Sequence, residues 1–133
     1  MASKTHIRTI KNETEFSIVI VNGEDGNKRI EIDGFKKWQG DLVVPWIGRQ
    51  GEAWKALKIY VTGGKGNVWV FQDYWNPPHK DAIKYYEGNE FSYEGAKEIR
   101  GNNQGAGDKL LLINVIEVEK NGQRAHSINL EMA

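Results

Sequence analysis

Cysteine is absent from this chain, so no disulfide staples it and no thiolate can act as nucleophile or metal ligand. That absence assigns no compartment; it merely permits a reducing cytosol. Histidine is scarce. His6, His79 and His126 stand far apart and in no ligand spacing, which argues against a zinc site. No metal and no cofactor is expected. Neither sign of charge is in surplus: 18 Lys and Arg balance 18 Asp and Glu over 133 residues. A nucleic-acid or anionic-membrane footprint needs a basic surplus, so no nucleic-acid partner is expected. Long apolar runs are missing too. No stretch approaches the ~20 residues that cross a bilayer. The opening MASKTHIRTIKNE has no apolar signal-peptide core. The expectation is a protein of the cytoplasm, or one released without a classical signal.

Helix signals are thin. Ala96–Arg100 is too short to stand alone and is boxed in by Gly95 and Gly101. Gln50–Leu57 has some helical spacing but reads as a loop entering a strand. Catalytic motifs are missing as well: there is no Gly-x-Ser-x-Gly, no phosphate loop and no dinucleotide fingerprint. Asp73, His79 and Asp81 lie close in sequence, yet loop Asp and His need no chemistry to be there. A non-enzymatic protein is expected. Glu24, Asp25 and Asn27 cluster oxygen ligands, but without the twelve-residue calcium-loop pattern.

What the chain does have is short strands punctuated by glycine. Residues 16–21 (FSIVIV) form a β-branched run that ends at Asn22-Gly23. Residues 28–33, 55–61 and 81–86 alternate. Residues 41–46 (DLVVPW) carry a proline near their end, which fits a sheet edge or a strand terminus. Residues 68–72 follow the glycine turn TGGKGN. Residues 109–118 (KLLLINVIEV) are apolar on both faces through Ile113 and read as a central strand, with Leu110, Leu112 and Ile116 opposite Leu111, Ile113 and Val115. Asn121-Gly122 is a strong type I′ hairpin signal leading into 125–132. The fold class is therefore all-β: a single antiparallel β-sandwich, or flattened barrel, of about nine or ten short strands over 1–133.

Five tryptophans, Trp38, Trp46, Trp54, Trp69 and Trp75, stand among these strands and loops. Trp69, on a strand with apolar neighbours, reads as core. Trp75 follows a strand end and precedes Asn76 and the pair Pro77-Pro78, which holds a loop extended, so it reads either as a plug that anchors the loop or as an exposed stacking platform. A ring on a stiff loop loses little freedom when a ligand arrives. Such rings suit sugars, whose apolar C–H face wants an aromatic face and whose hydroxyl rim wants amides, carboxylates or guanidinium groups. The candidate ligand-binding residues are Asp73, Tyr74, Trp75, Asn76 and His79 on this loop, with Arg49 on the loop 47–53 and Trp46 and Trp54 flanking it.

The stretch GNVWVFQDYWNPPHKDAIKYYEG resembles the middle of the actinoporin-like β-sandwiches, which include anemone cytolysins and mushroom fruit-body lectins. The cytolysins place a proline-containing, Tyr- and Trp-rich loop at this point and hold a phosphocholine head group with it. VVPWIG is similar to their strand end. The pore-formers also carry an amphipathic segment ahead of the first strand, whereas strand-like sequence starts here near His6. The resemblance thus implies a binding member. The expected function is glycan binding, as by a lectin, with glycans or glycoconjugates as partners and a homo-oligomer left open. The alternatives are a cytolysin-like protein that binds lipid head groups and a self-assembling structural β-protein.

Overall fold

The structure, a computed structural model, describes residues 4–63, 66–73 and 81–133. Its strands are β1 (Thr5–Asn12), β2 (Ile18–Asn22), β3 (Lys28–Ile32), β4 (Lys37–Val43), β5 (Trp46–Ile47) and β6 (Leu57–Val61). They continue with β7 (Gly66–Asp73), β8 (Ile83–Glu87), β9 (Lys97–Glu98), β10 (Arg100–Gly101), β11 (Gly107–Lys120) and β12 (Gln123–Met132). One sheet runs β10-β12-β11-β1-β4; the other runs β3-β2-β6-β7-β8-β9, with β5 beside β7. Pairing is mainly antiparallel. The exceptions are β1 with β11, β5 with β7 and β10 with β12, which are parallel. This is the expected all-β sandwich. Among the described residues no helix is long and apolar enough to cross a membrane.

The main core fills the space between the sheets. Ile18 and Ile20 of β2, Ile59 of β6 and Val68 and Val70 of β7 meet Leu111 and Ile113 of β11 and Leu130 of β12. β1 contributes Ile7 and Ile10, both fully buried. Strict alternation would send residues three apart to opposite faces. A register shift between Ile7 and Thr9 reverses the parity, so both reach the core. It is the reason β1 shows no clean period in the sequence.

The second sheet is covered on its outer face as well. Trp69 and Phe71, alternating with the inward Val68 and Val70, pack on Phe91, Ile47 and Ala56. The Phe71 and Phe91 rings meet edge to face, 5.3 Å between centroids and 83° apart. Burial on both faces explains the unbroken apolar run in β7. Trp69 is core, as its neighbours suggested.

Two expectations need correction. Gln50–Lys55 is a short 3-10 helix rather than a loop. And β11 is central in its sheet but not buried on both faces: Leu110 and Leu112 are half-buried and Ile116 is 43% exposed on the outer side. The β11–β12 hairpin turns at Asn121 and Gly122 with φ of 52° and 77°, the pair of positive angles that a type I′ turn demands.

Candidate functional site

β3 and β4 follow one another in the chain but belong to different sheets, each at the edge of its own. The open side of the sandwich between them is a groove of about 540 Å³. Two half-buried indoles line it, Trp38 on β4 and Trp46 on β5. Around them stand Asn22, Glu24 and Asp25 from the β2–β3 turn, Lys28, Arg29 and Ile30 of β3, Asp41 of β4, and Lys4.

Local rules place each of these groups. β4 stops before Pro45, which has no N–H for a ladder. The Pro45 carbonyl instead accepts a hydrogen bond from the Gln72 backbone of β7, 2.8 Å away. The chain thus crosses to the second sheet at this proline and sets Trp46 opposite Gln72. Trp38 packs partly on the main core, and its indole lies across Gly40, two residues on along the same face. A Cβ on Gly40 would stand 2.5 Å from the ring. The acidic turn Gly23–Asp25 is a 3-10 turn capped by Asn22, whose side-chain oxygen accepts from the Glu24 N–H at 3.2 Å. Gly23 is required there because a Cβ would collide with the Trp54 carbonyl oxygen.

The groove carries both signs of charge. Asp41 accepts a hydrogen bond from His6 Nδ1 at 2.8 Å and lies 3.5 Å from Arg8. The His6 hydrogen bond chiefly, helped by the Arg8 charge, holds its carboxyl below the usual aspartate range. Arg8 also binds Asp108 at 3.0 Å, and its guanidinium is pushed further up, first by that hydrogen bond. Lys4, Glu24, Asp25 and Lys28 make no side-chain hydrogen bond or ion pair among the described residues, so their polar ends face the groove and solvent.

Of the residues singled out in the sequence, Trp46 lies in this groove. Arg49 is exposed at the start of the 3-10 helix, and Trp54 is 63% exposed on it, with the Lys55 ammonium 5.7 Å from its ring centroid. Asp73 is not a loop residue. It ends β7 and is fully buried; one carboxylate oxygen accepts from Lys84 Nζ at 2.6 Å and the other from the Tyr93 hydroxyl at 2.7 Å. It holds structure together there rather than facing solvent. Tyr74, Trp75, Asn76 and His79 lie outside the described residues. Sequence reasoning gave Trp38 no binding role and did not single out Asn22 or Asp41. Only the pairing of Trp38 with Gly40 in one strand hinted at a ring held flat on the backbone. Among the described residues, no three of His, Asp and Glu are placed to hold a metal ion.

Comparison with protein-family models, with curated proteins and with solved structures gives no match for this chain.

Proposed function

We propose that this protein is a non-enzymatic, lectin-like carbohydrate-binding protein and that the groove between β3 and β4 receives the sugar. One observation carries the reading: two half-buried indoles share a groove of about 540 Å³ with an amide, three carboxylates and three cationic side chains. That volume is within the usual range for small-ligand sites. Aromatic faces take the C–H side of a pyranose, and the mixed rim can donate to and accept from its hydroxyls. Equal numbers of carboxylates and cations favour a neutral sugar.

A second reading comes from the same side chains. Indoles beside carboxylates also suit a quaternary ammonium, so a phosphocholine head group would fit the groove through cation–π contact. The resemblance to the actinoporin-like sandwiches is compatible with both.

A glycan array paired with liposome pelleting separates them. The sugar reading expects neutral oligosaccharides to bind, with Glu24→Gln and Asp25→Asn weakening them and leaving the melting temperature unchanged. Pelleting that depends on phosphocholine lipid, with a blank array, would favour the lipid reading.

A further inference from the structure

The turn between β3 and β4 presents Phe35 in an unusual way. Phe35 has φ of 60°, a left-handed conformation that glycine adopts freely and a bulky residue rarely does. Its side chain is 72% exposed, so burial does not offset the strain. Nor is the turn loose. The Lys36 N–H donates to the Asp33 carbonyl at 3.1 Å, and the Phe35 N–H donates to the Thr14 carbonyl at 3.0 Å. Beneath it lies Asn12, 2% exposed. The Asn12 side-chain amide donates to the carbonyls of Phe16, Ile32 and Asp33 at 2.7, 3.1 and 3.1 Å. The Asn12 side-chain oxygen accepts from the Thr14 N–H and hydroxyl at 3.0 and 2.7 Å. A satisfied buried network therefore holds an exposed aromatic ring where the backbone alone would choose glycine. Strain maintained by its surroundings is characteristic of ligand-binding positions.

Phe35 borders a depression of about 570 Å³ that Lys11, Glu13, Lys36 and Lys37 also line. Its rim carries three ammonium groups and one carboxylate; Asp33 and Glu15 are exposed nearby but do not line it. The groove of Trp38 and Trp46 is charge-balanced by comparison. We propose that the Phe35 turn is a second saccharide subsite, selective for a sugar ring bearing a carboxylate or a sulfate. The ring's C–H face rests on Phe35, and Lys11, Lys36 and Lys37 take the acid. The proposal rests on the carbohydrate reading above and would make one chain bivalent.

The test uses hyaluronan and chondroitin-sulfate tetrasaccharides as acidic probes and chitotetraose as a neutral one, titrated into wild type and two variants at low and moderate salt. Phe35→Gly should melt no lower than wild type, because glycine takes the left-handed conformation without strain. It should also bind the acidic probes about tenfold more weakly or worse, as expected for an aromatic hot spot, with chitotetraose binding unchanged. Lys36→Gln should weaken acidic binding and flatten its salt dependence. Acidic binding unaltered in Phe35→Gly, or a lower melting temperature in that variant, would overturn the subsite. Neutral binding with no acidic binding by wild type would strike the subsite alone. Absence of all saccharide binding would strike the carbohydrate reading and the subsite with it.

Discussion

At the scale of single residues, two carboxylates show how environment assigns a role. Asp73 is fully buried with Lys84 Nζ 2.6 Å away, and such a pair is costly to break on one side. Lys84→Met should lose ~3–5 kcal/mol in urea melts; a loss under about 1 kcal/mol would show that Lys84 is not the main counter-charge. Asp41 is a surface group. His6 and Arg8 lower its folded carboxyl value, so its contribution to stability is present above the unfolded value, near 3.8. That contribution is lost as pH falls through the lower folded one. An NMR titration should find the Asp41 midpoint below that of free aspartate, and His6→Ala should move it up. An unmoved midpoint would mean that the hydrogen bond is not its cause. Asp73 and Asp41 also mark what the sequence could tell. Asp73 stands beside an aromatic-proline stretch and looked like a loop ligand, because its partners Lys84 and Tyr93 come from distant positions. Asp41 stands in a strand-like run, where nothing local announces His6.

At the scale of elements, β11 and β1 show why alternation is only half a reading. Both faces of residues 110–113 are apolar, so periodicity offers no choice between them. The second sheet covers one face only. Leu111 is 1% exposed and Leu112 half-buried. Leu111→Ala should therefore cost ~2–5 kcal/mol by lost transfer energy plus a cavity. Leu112→Ala, on the outer face, should cost about 1 kcal/mol. Chemical denaturation of the two variants checks the order, and equal losses would contradict the assignment of faces. In β1 the bulge at Arg8 breaks the period, and pattern matching had nothing regular to find. The strands with clean alternation, β3, β6 and β12, and the Asn121-Gly122 hairpin were legible for the opposite reason. Their local chemistry and their tertiary surroundings ask for the same conformation.

At the scale of the whole molecule, the sandwich follows from many short strands with turns between them, and so was legible. The groove was not. It depends on which strand ends up at the edge of which sheet, and it gathers Asn22, Asp25, Trp38, Asp41 and Trp46 from two sheets. Only Trp46 of these was named a ligand-binding residue from the sequence. It was chosen as an aromatic ring near polar partners of its own loop, whereas its neighbours in the groove come from β2, β3, β4 and the turn between β2 and β3. Trp46→Ala, with Trp54→Ala as a control outside the groove, puts the central claim to the most direct test. Each variant is titrated with a neutral oligosaccharide bound by wild type on the array, and its thermal melt is recorded beside it. A folded Trp46→Ala protein should lose ~2 kcal/mol or more of binding free energy, while Trp54→Ala keeps the wild-type affinity. An unchanged affinity in a folded Trp46→Ala protein would contradict the assignment of the groove as the sugar site.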